Sequence, residues 1–359
     1  MNYKIFGNNI DPAAIEQMDS AMKLPCVYSG VLMPDCHKGY ALPIGAVVAT
    51  FDRIVPSWVG YDIGCGMSTS ELDIDPILLT TEVLEKIKEQ ILLKIPVGFK
   101  QHATPSEWYC DGTDIVRKLA QAKASYQLGT LGSGNHFIEI GYCESKVFIT
   151  IHSGSRGYGH GIATHYMKLA AGTKSLEGHN AFHVDSPDGI NYFHACKEAE
   201  RFALANRIAM THAVVEIMDD VMGMDIRQGL FVNRNHNHVE EAHGLIIHRK
   251  GATQAEEGMY GVIPANMRDG CFLVKGKGNP DFLWSSSHGA GRVLSRSQAK
   301  KQLSLTDMEE QMEGIVGCIS EATLDEAPDA YKNIYDVMEA QKDSVEIVKH
   351  IKPLLNIKG

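Results

Sequence analysis

Basic residues are the minority charge in this chain: 34 Lys and Arg stand against 44 Asp and Glu, a formal net charge of -10. That balance excludes passive, whole-surface attraction to a polyanion, so any contact with nucleic acid must run through a local basic patch. No apolar run approaches the roughly 20 residues a membrane-spanning helix needs. The eight cysteines, at 26, 36, 65, 110, 143, 196, 271 and 318, include no Cys-x-x-Cys pair. A zinc ribbon, a thioredoxin-type site and a dense disulfide framework are therefore disfavoured. The opening residues MNYKIFGNNIDP lack a basic stretch followed by an apolar one, so no secretory leader is expected. Together these absences predict a protein of the reducing cytoplasm. Internal repeats, low-complexity runs and Pro/Ser-rich linkers are missing too, which favours one compact unit over residues 1–359.

What is present is ordinary globular composition, 44% hydrophobic and 22% charged, in a chain of 359 residues. Charge is unevenly spread. Between Ile246 and Lys301 nine basic residues meet four acidic ones, a local net of +5. The patterning predicts short strands over Ser29–Met33, Ile44–Thr50, Lys146–Ile151, Gly244–Ile247, Gly261–Ile263 and Cys271–Val274. It predicts helices over Glu82–Ile95 with Thr81 as cap, Asp114–Tyr126, Ile190–Met222 and Ala330–Ile351. A capping box at Thr306-Asp307-Met308-Glu309 marks another helix start. Strands and helices mix without regular alternation, so the expected class is α+β, with mixed sheets flanked by helices.

Five stretches are rich in glycine and polar residues where a plain core would be apolar. In Gly60-Tyr61-Asp62-Ile63-Gly64-Cys65-Gly66-Met67, a tight turn would let Asp62 and Cys65 face one point. A carboxylate and a thiolate there suit a transition metal, although a buried Cys also reads simply as a small hydrophobe. Leu128-Gly129-Thr130-Leu131-Gly132-Ser133-Gly134 has G-x-x-G-x-G spacing, which is not the dinucleotide fingerprint. It leads into Asn135, His136, Phe137 and Glu139, polar groups entering a strand, a costly placement without partners. His152-Ser153-Gly154-Ser155-Arg156-Gly157 sets an imidazole beside a cation at a strand end. Asn233-Arg234-Asn235-His236-Asn237-His238 reads as a polar loop or as a ligand run. In Ser285-Ser286-Ser287-His288-Gly289-Ala290-Gly291-Arg292, small residues leave His288 open to a large ligand, and a helix starting near Arg292 would aim its positive end at a phosphate. Jointly, four histidines in small-residue loops plus an Asp-x-x-Cys are poorly explained as core filling. Three His, one Asp and one Cys suffice for two divalent ions if sulfur bridges them. The fourth His then remains free to attack phosphorus.

These stretches, with Arg249-Lys250-Gly251-Ala252, Asp325–Lys332 and the terminal Lys358-Gly359, run in one order along nearly the whole chain and resemble the RtcB family of RNA ligases. The resemblance implies an α+β fold peculiar to that family. It implies an enzyme that joins RNA ends carrying a 3′-phosphate or 2′,3′-cyclic phosphate to 5′-hydroxyl ends, with GTP and two Mn²⁺. By motif position, Asp62, Cys65 and His136 would hold one Mn²⁺, and Cys65, His152 and His236 the other. His288 would accept GMP, with Asp35 and His37 in a further active-site stretch. Asn135, Phe137, Glu139, Asn237, Ala290, Tyr331 and Lys358 would line the guanylate pocket. This chain departs from the family pattern at Pro264-Ala265-Asn266-Met267-Arg268, and Cys271 stands where a nucleotide-contacting Ser is common. Asn266 and Cys271 are thus expected to meet the guanosine. Two other readings stand beside the ligase. A dinuclear phosphoesterase would use the same metal ligands without His288, and a noncatalytic RNA-binding relative would need neither.

Overall fold

The computed structural model describes residues 3–359. Met1 and Asn2, the first two residues of the N-terminal stretch read above, lie outside the described residues. The chain is α+β, organised on two principal sheets. The first runs in spatial order Tyr3–Ile5, Val27–His37, Ile44–Thr50, Leu245–Lys250 and Asn237–Ala242. The second runs Tyr260–Pro264, Cys271–Gly276, Val345–Lys358, Phe137–Cys143, Lys146–Ser153, Gly66–Leu72 and Gln228–Asn235, with Val316–Gly317 pairing against Val345–Lys358. Arg234 Nε on the last strand of that path donates to Tyr260 O on the first at 3.0 Å, so this sheet curls toward closure.

Curling explains why Lys146–Ser153 is buried almost throughout rather than on alternate residues. Val147, Ile149 and Ile151 point to the helix-covered face. Phe148, from the opposite face, packs with Met67, Val232 and Leu273 inside the curl. The covering helices are Thr81–Lys94 and Pro187–Met222. In the first, Leu84, Ile87 and Ile91 recur at helical spacing and are buried against the sheet, so truncating Ile87 to Ala would cost about 2–5 kcal/mol. Its cap is Thr80, whose hydroxyl accepts from Val83 N, one residue before the expected Thr81. The long helix opens on Ser186, which accepts from Gly189 N, with Pro187 in its first turn, and stops at Gly223, whose φ of +64° is left-handed.

Three local readings need correction. The helix expected over Ala330–Ile351 is only Ile334–Ala340. The buried Gln341 ends it by accepting from Ser287 N, and Val345–Lys358 becomes a strand paired on both sides. Its β-branched residues satisfy two ladders, which outweighs their helix-like spacing. The helix assigned to Thr306 opens at Leu305, because Ser304 caps it through Asp307 N. The helix near Arg292 begins at Arg296, where Ser295 and Gln298 form the capping box.

The two sheets meet where the site lies. The chain leaves the large sheet at Asn235, passes through His236 and enters the small sheet at Asn237. In register, Gly66 opposes both Ser153 and Asn235, and Phe137 opposes His152. Cys65, His136, His152 and His236 therefore fall at one end of the large sheet, on four neighbouring strand ends.

Candidate active site

Cys65 lies at the centre of a chain of donors. Its Sγ is 3.4 Å from His136 Nε2 and 3.3 Å from His152 Nε2. Asp62 Oδ2 lies 3.2 Å from His136 Nε2 on one side, and His236 Nε2 lies 3.3 Å from His152 Nε2 on the other. The outer ring nitrogens fix the tautomers. His136 Nδ1 donates to Leu131 O at 2.9 Å and His152 Nδ1 to Asn135 O at 3.1 Å. Both Nε2 lone pairs are thereby turned inward.

Electrostatics favour a cation among these groups. Burial pushes the imidazoles of His152 and His236 far below their usual range, so both are neutral. Burial and then the Asp62 charge push the Cys65 thiol well up. Burial also works to raise the Asp62 carboxyl, but the hydrogen bond and charge of His136 in its protonated, metal-free state, with the charge of Arg156, hold it at about 2, so Asp62 is a carboxylate. Neutral lone pairs, a carboxylate and a thiol that ionises only beside a cation make a donor set fitted to a divalent transition metal. Cys65, His136 and His152 alone bring three ligand atoms within 4.8 Å of one another.

Two buried residues of the long helix brace this end of the sheet. Arg207 donates to Gly64 O at 3.0 Å, Ser153 O at 2.8 Å, and the side-chain oxygens of Asn233 and Asn235 at 2.7 Å each. Asn206 accepts from Gly129 N and Thr130 N, pinning the glycine loop before His136. Lys250 donates to Val59 O behind Asp62 and Cys65. Lys250 belongs to the Arg249-Lys250-Gly251-Ala252 stretch of the sequence reading, which does not name Asn206 or Arg207. A buried Asn-Arg pair inside an apolar helical stripe is the signal that marks these two.

His288 adjoins the donor cluster, its ring centroid 4.9 Å from that of His236. A single oxygen, Asp35 Oδ2, accepts from His288 Nδ1 at 2.6 Å, His288 N at 3.1 Å and Gly289 N at 3.3 Å. The carboxylate is fully buried. It holds the proton on Nδ1 and leaves Nε2 with a free lone pair. Asp35 reaches this place through a bulge. The ladder of Val27–His37 with Ile44–Thr50 jumps from Leu32 opposite Ala46 to His37 opposite Ile44. Gly45 sits across the bulge at φ +87°, and a Cβ there would lie 2.8 Å from Cys36 Cα and 2.9 Å from Asp35 Oδ1. His37 Nδ1 donates to Asp35 O at 3.0 Å, and burial, the largest influence, lowers its imidazole to about 4, so His37 is neutral near pH 7.

From His288 a cavity of about 250 Å³ extends to Lys358. Asn135, Phe137, Glu139, Asn266, Ala290 and Tyr331 line it, with His37 at one side. Lys358 Nζ lies 4.9 Å from the Phe137 ring centroid and 3.1 Å from Glu326 Oε2. Glu326, which stands in the Asp325–Lys332 stretch but has no role assigned from sequence, is the hub of this wall. It accepts from Tyr331 OH at 2.6 Å and from Arg292 at 3.0 Å, and pairs with Arg296 at 2.8 Å. Glu139 takes one bond from Asn356 at 3.0 Å while its other oxygen, Oε1, has no hydrogen-bond partner among the described residues. Burial raises its carboxyl to about 7 against the opposing influence of Cys271, Asn356 and Lys358.

Two expected pocket residues lie outside the lining. Asn237 donates to Asp62 O and accepts from Gly251 N, so it joins the donor loop to the turn beside His288. Cys271 is buried against Glu139, beneath the cavity wall. Asn266 lines the cavity, but its amide is committed to Asp269 and its carbonyl oxygen to Arg268 N and Asp269 N.

A family model described as "tRNA-splicing ligase RtcB" matches residues 17–111 and 106–359. Among curated proteins, the RNA-splicing ligase RtcB of Escherichia coli K12 is 34% identical, aligned over 98% of this chain and 96% of its own. The tRNA-splicing ligase RtcB of Nanoarchaeum equitans is 30% identical over 97% and 92%. The RtcB homolog 1 of Entamoeba dispar is 28% identical over 99% and 83%.

Proposed function

The chain belongs to the RtcB family, and from that premise we propose that it is an RNA ligase acting through a guanylylated His288, as one ligase domain over residues 1–359. Its substrates in this reading are GTP, an RNA end with a 3′-phosphate or 2′,3′-cyclic phosphate, and an RNA end with a 5′-hydroxyl. The observation that carries the reading is His288, held as its Nδ1–H form by buried Asp35, facing a cavity that begins at the metal-donor cluster. Asp62, Cys65 and His136 would hold one Mn²⁺, and Cys65, His152 and His236 a second. The metal, when bound, neutralises phosphate oxygens as charge develops on them.

His288 Nε2 attacks the α-phosphorus of GTP. The N–P bond forms, the bond to the β-phosphate oxygen breaks, and pyrophosphate leaves. Asp35 stabilises the imidazolium that results, without taking its proton. The RNA 3′-phosphate oxygen then attacks the same phosphorus and releases His288. A cyclic end must first be opened by water. The 5′-hydroxyl finally attacks the activated 3′-phosphorus, forms the phosphodiester, loses its proton and expels GMP. The sequence makes chemical sense because a phosphate monoester is a poor electrophile until it carries a good leaving group. Lys358, Tyr331, Glu139 and Phe137, which line the cavity, would hold the guanosine. The test is incubation with α-labelled GTP and Mn²⁺, then peptide mapping. Acid-labile GMP on His288, lost in His288→Ala, is expected. No covalent label on wild-type protein that holds its metal would refute the reading.

A further inference from the structure

The bulge that presents Asp35 leaves residues 33–36 outside the strand ladder, so their buried carbonyls must be satisfied from elsewhere. Lys332 does this. Its ammonium donates to Pro34 O and to Cys36 O, both at 2.9 Å. Its own N–H donates to Gly291 O at 2.9 Å, in the loop that carries His288. One residue thus ties the two sides of the Asp35–His288 contact, with Asp35 between the two carbonyls it grips. Lys332 does not line the cavity that His288 faces. Its neighbouring space is a separate hollow of about 570 Å³, beyond Tyr331, shared with Pro34 and Asn333. It is therefore no candidate to touch the reacting atoms.

We propose that Lys332 is a positioning residue for His288: by clamping the carbonyls on either side of Asp35 it fixes the carboxylate, and through it the tautomer and aim of the imidazole. An ammonium suits the task because it has three donors and no acceptor, so it serves two converging carbonyls without a competing orientation. The guanylylation part of the claim rests on the ligase reading, and the tautomer part does not.

The experiment combines two readouts on Lys332→Met, Lys332→Arg, Asp35→Asn and the Lys332→Met/Asp35→Asn pair. Single-turnover guanylylation with labelled GTP is one. The other is the ¹⁵N spectrum of His288 in metal-free, ¹⁵N-histidine-labelled protein, assigned by its loss in His288→Ala. For Lys332→Met the rate constant should fall by up to about 10²-fold, the scale of a misaimed reacting group. KM for GTP, metal content and melting temperature should stay near wild type. The His288 signals should move from a single Nδ1–H form to a tautomer mixture. Lys332→Arg, which also offers paired donors, should recover most of the rate. In the Asp35→Asn background Lys332→Met should cost little more, since the two act through one contact. Should Lys332→Met not fold, Lys332→Gln passes through the same cycle under the same criteria. A wild-type rate and tautomer in the Met or Gln variant would overturn the proposal, as would a loss that is fully additive with Asp35→Asn. If wild-type protein forms no adduct, the ligase reading fails instead, and the tautomer spectra still decide the role of Lys332.

Discussion

Asp35→Asn removes one charge and almost no volume, so it isolates what the carboxylate does. Asp35 Oδ2 accepts three bonds, from His288 Nδ1, His288 N and Gly289 N. An amide can face these donors with its oxygen, keeping the geometry with a neutral acceptor. Weakening a charge-assisted bond on that scale, about 1.5–3 kcal/mol, corresponds to a loss of roughly 10- to 150-fold. Alternatively the amide NH₂ turns toward the imidazole and donates to Nδ1. The ring proton then sits on Nε2, where the lone pair is needed. The comparable change in a serine protease triad costs about 10⁴ in kcat. The two limits bracket the expectation: guanylylation should fall by about 10- to 10⁴-fold. Metal content should be unchanged, because the hydrogen bonds of the Asp35 carboxylate go to His288 and Gly289. The assay is single-turnover labelling with α-labelled GTP, beside metal analysis and a thermal melt. A folded, metal-loaded Asp35→Asn protein labelled at the wild-type rate would refute the reasoning.

Cys65→Ala should leave less than a full complement of bound Mn²⁺ and abolish adduct formation. Simple core filling would cost only about 1 kcal/mol of stability with chemistry intact, and mass spectrometry of metal content separates the two. Cys65→Ser should rescue little, because an alcohol ionises less readily than a thiol. Glu139 is raised in the folded chain from an ordinary value of 4.5 to about 7, so between those pH values the folded state binds more protons than the unfolded one. Wild-type stability should therefore fall relative to Glu139→Gln by up to about 3 kcal/mol as pH rises through that window, read from urea melts of the nucleotide-free proteins. With Asn266 committed to its own turn and Cys271 beneath the wall, GTP should be preferred over ATP and ITP less than in relatives with the Ser pattern, since two polar groups that a wrong base would leave unpaired do not face it. A strict GTP preference in adduct formation would contradict this.

The donor residues were readable because each stands in a short polar stretch, glycine-rich in every case but the His236 run, whose composition no apolar core explains. Asp62, Cys65, His136, His152 and His236 all carry that local mark, and the structure brings them to one end of one sheet. The bracing residues carry no such mark. Arg207 acquires its role from four partners that lie between 26 and 143 positions away, and Lys332 from carbonyls nearly 300 positions away. Glu326 stands in the Asp325–Lys332 stretch, but nothing local sets it apart from Asp325 and Asp329; its role appears when the fold closes Lys358 and Arg292 over it. The first half of the strand Val345–Lys358, up to Ile351, reads as helix for a related reason. Its apolar spacing fits a helix, and only the two strands beside it decide otherwise.

The most direct test of the account offers the purified chain two RNA strands, one with a 5′-hydroxyl and the other with a 3′-phosphate, a 2′,3′-cyclic phosphate or a 3′-hydroxyl. GTP and Mn²⁺ are present throughout. The account predicts a joined phosphodiester from the first two, one GMP released per junction, and no product from the 3′-hydroxyl end. Removal of the terminal phosphate with no joined product would contradict it and assign the same donors to hydrolysis.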